Sequence, residues 1–75
     1  MEKQKEVTIK TLDEVLCKVN LGFEHNITED DGVFDVEFDM YLTPEEAVKV
    51  DRAVDYNFLE CYNQWDFFMR ITIFT

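Results

Sequence analysis

The stretch Asp31-Gly32-Val33-Phe34-Asp35-Val36-Glu37-Phe38-Asp39-Met40-Tyr41-Leu42-Thr43-Pro44-Glu45-Glu46 decides the fold of this 75-residue chain. From Val33 to Leu42 the residues alternate, with Phe34, Val36, Phe38, Met40 and Leu42 on one side and Asp35, Glu37, Asp39 and Tyr41 on the other. A period of two is that of a strand with one face on a core and one in water. The turn chemistry of Glu29-Asp30-Asp31-Gly32 precedes it, and Asp-Gly before an alternating run signals a hairpin. Behind it, Thr43 is a helix N-cap, Pro44 suits the first helical position, and Glu45 and Glu46 complement the positive end of the helix dipole.

Outward from this stretch, the partner strand is expected at about 18–27, where Val19, Leu21, Phe23, His25 and Ile27 share one parity. Residues 11–19 carry a second signal, because Leu12, Val15, Leu16 and Val19 also follow helical spacing and Thr11 with Glu14 forms a capping box. A short helix or turn at 11–16 running into the strand is therefore expected, with a further strand at 7–10 left open. On the other side, the helix is expected to run over about 44–62, with Ala47, Val50, Val54, Phe58 and Cys61 as its core stripe. Glu45, Lys49, Arg52, Tyr56 and Glu60 lie opposite, and Val48 and Leu59 form an apolar edge. Residues 66–74 alternate again and read as a closing strand with Phe67, Met69, Ile71 and Ile73 on one face and Phe68, Arg70, Thr72 and Phe74 on the other. The predicted class is α+β: a small antiparallel sheet made of a hairpin at 18–27 and 33–42 and a C-terminal strand, one main helix packed on it, and an N-terminal element of open type. The chain reads as one domain without repeats or linkers.

Composition excludes several classes of function. The chain is 47% apolar and 15% aromatic with two Gly and one Pro, which is the make-up of a folded domain rather than an acidic tail. No apolar run approaches the roughly 20 residues of a membrane span, and the N-terminus lacks the apolar segment of a secretory signal, so a cytoplasmic protein is expected. Cys17 and Cys61 lie on apolar patterns without Cys-x-x-Cys spacing and are expected to be free core thiols. The chain has no serine and a single histidine, His25, with no nucleophile motif, no phosphate loop and no EF-hand spacing. No catalysis, cofactor or dedicated metal site is expected.

The charge is the sharpest feature. Of a formal net charge of −10, residues 1–23 and 61–75 contribute nothing, because their acids and bases cancel. Residues 24–60 hold twelve acids against Lys49 and Arg52. Asp35, Glu37 and Asp39 recur every second residue, which spaces their carboxylates at about 6.7 Å on a strand. Successive phosphates of a DNA strand advance about 3.4 Å along the axis while also winding round it, so their direct separation is similar. Extended by Glu29, Asp30 and Asp31 in the turn, by Glu45, Glu46, Asp51 and Asp55 on the helix and by Tyr41 beside them, this row is the candidate binding surface. It would occupy Lys/Arg sites that grip a nucleic-acid backbone, and the same charge opposes direct nucleic-acid binding. The competing expectations are an interaction module or small structural subunit acting through the Val48/Leu59 edge. A homodimer would relieve the small core of so short a chain.

In size, in charge and in the acidic turn and strand from Glu29 to Asp39, the chain resembles small bacteriophage-encoded acidic proteins that shut down host DNA-binding proteins. The resemblance is one of character and transfers no site residue. It implies a host cytoplasmic target such as the nucleoid protein HU, RNA polymerase, a restriction enzyme or a CRISPR effector. HU is preferred, because a compact acidic domain would fit its basic β-arms and saddle.

Overall fold

A computed structural model describes residues 6–58 and 61–75. The elements run α1 (Ile9–Val19), β1 (His25–Asp30), β2 (Val33–Phe38), α2 (Pro44–Asn57), β3 (Tyr62–Asp66) and β4 (Arg70–Phe74). All strands are antiparallel in the order β1-β2-β4-β3. The α+β class stands; the short helix or turn expected at 11–16 is a full helix over 9–19, and the C-terminal strand is part of a second hairpin.

Helical spacing wins at the N-terminus. Leu12, Val15 and Leu16 are buried in the common core, and Thr8, not Thr11, is the N-cap, with Thr11 closing the capping box. The strand left open at 7–10 does not form, since α1 begins at Ile9. Asn20 ends α1 in the left-handed region (φ 61) and Gly22 follows at φ 88. These two residues delay the partner strand to 25–30, a correction to the expected 18–27. Glu29 and Asp30 then belong to β1, and Asp31-Gly32 alone make a two-residue turn with both φ positive, the type I′ geometry that joins twisted strands. Gly32 also leaves room for Thr75, whose hydroxyl donates to the Gly32 carbonyl at 2.8 Å and would lie 3.3 Å from an added Cβ.

The strand at 33–42 is shorter than expected. It stops at Phe38, and residues 39–43 cross the end of the sheet, where the Leu42 amide donates to the Phe68 carbonyl at 2.8 Å. Met40, expected inside, is 59% exposed. Thr43 caps α2 as expected, accepting from the Glu46 amide while the Glu46 side chain accepts from the Thr43 amide. Ala47, Val50, Val54 and Phe58 are buried as predicted. The helix ends at Asn57, however, whose side chain donates to the Ala53 carbonyl, and Phe58 is already extended. The expected helical segment at 58–62 is thus replaced in part by β3, which starts at Tyr62, while Leu59 and Glu60 lie outside the described residues.

The expected strand at 66–74 is instead the second arm of a hairpin. The Met69 amide donates to the Asp66 carbonyl at 3.1 Å, with Phe67 (φ 56) and Phe68 (φ 57) as the central turn residues. Left-handed backbone costs a non-glycine residue about 1–2 kcal/mol. Propensity therefore gave no sign of a turn at Phe-Phe, and Phe67, expected on the core face, is 80% exposed.

The architecture repeats although the sequence shows no repeat. Two α-β-β units, 9–38 and 44–74, each start at a threonine capping box and turn their hairpin through two left-handed residues. The sheet order is unchanged when the units are exchanged. Asp35↔Thr72 is the middle pair of the β2–β4 ladder that joins them. Both helices cover one face, where Leu12, Leu16, Val50 and Val54 pack with Phe34, Val36, Phe38, Ile71 and Ile73. Among the described residues no helix is long and apolar enough to cross a membrane.

Candidate functional site: the open face of the sheet

Because strand side chains alternate, burying Phe34 and Val36 beneath the helices sends Asp35 and Glu37 to the other face, which no described helix covers. The registers arrange this open face in rows. Asn26, Glu37, Arg70 and Asp66 form the first, Thr28, Asp35, Thr72 and Gln64 the second, and Asp30, Val33, Phe74 and Tyr62 the third. Asp35, at the centre, is half-buried and accepts from the Thr72 hydroxyl at 2.7 Å. Arg70 binds Asp66 at 2.9 Å and stands beside Glu37 in the ladder, so it is the open face's one cation among the described residues. Asp30, Asp31, Glu37 and Asp39 are exposed. At the third row, Tyr62 and Phe74 lie ring to ring with centroids 5.8 Å apart.

The structure brings together only part of the predicted surface. Asp30, Asp31, Asp35, Glu37 and Asp39 share the hairpin and the open face, although Asp39 lies just past the strand end, where its amide still pairs with the Glu24 carbonyl. Glu29 is at the edge, with its carboxylate 3.4 Å from the Gly32 amide. Tyr41 is 69% exposed at the end of the sheet near Glu37 and Phe67. Glu45, Glu46, Asp51 and Asp55 belong to α2, on the opposite side of the sheet. Glu46 is engaged in the Thr43 cap. Asp51 accepts from Asn63 at 3.1 Å and from the Trp65 indole at 3.3 Å, and Asp55 accepts from Asn63 at 3.2 Å. These two carboxylates thus stitch α2 to β3. Sequence reading missed Thr72, Arg70 and this seam, because each depends on β3–β4 pairing.

Four of the five described Lys/Arg residues, Lys10, Lys18, Lys49 and Arg52, stand on the helices. The sheet's open face is consequently acidic and the helical layer is mixed in sign. Charge that is contiguous in sequence divides between two faces in space.

A cleft of about 320 Å³ beside the end of α1 is lined by Cys17, Phe23 and His25. His25 holds α1 to β1 through an Nε2 to Asp13 Oδ1 contact of 2.8 Å. Cys17 is exposed, contrary to the core placement expected for it, and Cys61 is partly buried; both are free thiols. Burial, and after it the nearby Asp55 carboxylate, pushes the Cys61 thiol above its ordinary pKa. The folded state therefore holds that proton more tightly than the unfolded chain does, and this contribution to stability is lost as pH rises through the folded value. A thiol-disulfide reagent at pH 8 should label Cys17 in a fast phase and Cys61 in a slow one that accelerates at higher pH. Replacing Cys17 with Ser should leave only the slow phase, and equal rates would contradict the environments described.

Among the described residues no group of three or more His, Cys, Asp or Glu stands at metal-binding separations. The chain matches no protein-family model, no curated protein and no solved structure.

Proposed function

We propose that this protein binds the basic surface of a nucleic-acid-binding protein through its open sheet face and the Asp31-Gly32 hairpin, and so blocks access of nucleic acid. The observation that supports this reading is the placement of Asp30, Asp31, Asp35, Glu37 and Asp39 on the hairpin and the uncovered face, with most bases on the far layer. Asp35 and Glu37 follow the strand at the spacing of backbone phosphates, and the hydrogen bond from Thr72 holds the central carboxylate in place. The α2 acids play no part in this surface.

A host nucleoid protein of the HU type is the target to test first. The full chain, titrated into purified HU, should bind with an affinity that falls at least about tenfold between ~50 and ~200 mM salt, and duplex DNA should displace it. A salt-insensitive complex would move the contact to the apolar edge at Val48. Simultaneous binding of duplex and acidic protein to HU would sink the reading.

A further inference from the structure

At the Asp31-Gly32 end of the open face, the alternation of β3 and β4 puts two rings where no core receives them. Tyr62 and Phe74 pair across the strands with centroids 5.8 Å apart, and they remain 64% and 37% exposed. The pairing helps tie edge strand β3 to β4, but the outer surface of both rings is left to solvent. Carboxylates stand around it. Asp35 is the diagonal neighbour of Phe74 across the β2–β4 ladder, and such positions lie about 7–8 Å apart. Its Oδ1 accepts from the Thr72 hydroxyl, and no described residue donates to its other oxygen. Asp30 stands in the same row as the rings, with half-buried Val33 between them as an apolar floor. Arg70, the open face's one cation among the described residues, is held by Asp66. It lies four residues from Phe74 along β4, about 13 Å away. This end of the face therefore joins aromatic surface to negative charge, with no basic residue on it among those described.

We infer that this end of the open face is a subsite for an arginine side chain of the basic partner, with the guanidinium over the Tyr62 and Phe74 rings and its N–H fork turned to Asp35. The inference rests on the proposed function and deepens it by naming which basic residue the face selects. Charge complementarity calls for a cation, and the rings choose between the two kinds. A guanidinium is planar, weakly hydrated and carries its donors in the plane, so it can lie flat on a ring while donating sideways to a carboxylate. An ammonium is compact and holds its water more tightly, so it gains less from rings that are open to solvent. The methylene stem of the arginine lies along Val33, as long basic side chains do on apolar surface. Nucleic-acid bases also stack on exposed rings, but here the neighbouring carboxylates repel the phosphates that would come with them.

Titration of the full chain at low salt with hexa-arginine and with hexalysine, peptides of matched side-chain charge, tests this. The parent should bind hexa-arginine more tightly, and the share of that preference owed to the rings should be about two- to fivefold, the effect of a cation–π contact at an exposed site. The double variant Tyr62→Leu, Phe74→Leu keeps apolar bulk at two exposed positions, so its far-UV circular dichroism should match the parent's. It should lose that share for hexa-arginine and bind hexalysine as the parent does. In the parent, the ring protons of Tyr62 and Phe74 should shift on addition of hexa-arginine and far less with hexalysine, a readout that needs no variant. Equal affinity of the parent for the two peptides, an arginine preference unchanged in the double variant, or an equal loss of both peptides in it overturns the subsite and leaves the acidic face as the binding surface. If neither peptide binds, or if Asp35→Asn, Glu37→Gln and Asp39→Asn together leave both affinities unchanged, the proposed function fails and the subsite with it.

Discussion

Replacing Phe38 with Ala should lower the stability of the fold by about 3–5 kcal/mol, the range for removing a buried phenylalanine. A chain of this length holds on the order of 4–11 kcal/mol in all, at ~0.05–0.15 kcal/mol per residue. Phe38 has high leverage because its one ring touches β1, β3 and the loop after α1 together. It is 2% exposed at the end of β2. Its ring is stacked on Trp65 of edge strand β3 with centroids 6.3 Å apart, meets Phe23 edge-on at 6.4 Å, and lies 6.3 Å from His25. Its amide donates to the Met69 carbonyl beside the second turn. Truncation therefore leaves a cavity where both sheet edges and the loop after α1 converge. The single tryptophan sits against that cavity, so its fluorescence and far-UV circular dichroism together follow the urea transition. At a slope of ~1–3 kcal/mol per molar urea the midpoint should fall by about 2 M, while Phe38→Leu should cost under about 1.5 kcal/mol. A loss below ~1 kcal/mol for the alanine variant would mean that Phe38 does not tie these elements together.

The combined substitution Asp35→Asn, Glu37→Gln and Asp39→Asn should weaken binding to a basic partner on the order of 100-fold at low salt, three charge pairs at ~1 kcal/mol each in a water-like dielectric. The fold should persist. An asparagine side chain in place of Asp35 still offers an oxygen to the Thr72 hydroxyl, and the other two carboxylates are exposed and carry no side-chain hydrogen bond among the described residues. The informative control neutralises the same number of acids elsewhere: Glu6→Gln, Glu14→Gln and Glu45→Gln, all exposed and away from the open face. Both variants carry a net charge three units less negative than the parent. If binding follows the geometry of the open face, only the first loses affinity. Equal losses in the two would show that overall charge steers the partner and that no particular face is read.

Much of the fold was legible in local pattern, because period and caps are properties of neighbouring residues. The alternation through Phe34, Val36 and Phe38 gave the central strand and its inner face, Asp31-Gly32 gave the first turn, and Thr43-Pro44 gave the start of α2 to the residue. Leu12, Val15 and Leu16 carried the helical signal of α1 inside a stretch that parity also allowed as a strand. Burial against α2 resolved that ambiguity, since both helices must cover the same sheet face.

The candidate site was legible only as a list of acids. Sequence by itself determined that Asp35 and Glu37 point away from the core and that residues 24–60 carry the charge, since both follow from residue order. Tertiary structure decided which acids meet. The helices occupy one side of the sheet, so α2's Glu45, Glu46, Asp51 and Asp55 fall across it from the hairpin, and β4 brings Thr72 and Arg70 into the open face beside Asp35 and Glu37. The same long-range pairing made Tyr62–Asp66 an edge strand without an alternating pattern and held Phe67 and Phe68 in a turn that no propensity favours. The physical reason is common to these cases: a local pattern reports what a residue does with its neighbours in the chain, whereas faces, edges and strained turns are fixed by contacts between residues far apart in sequence.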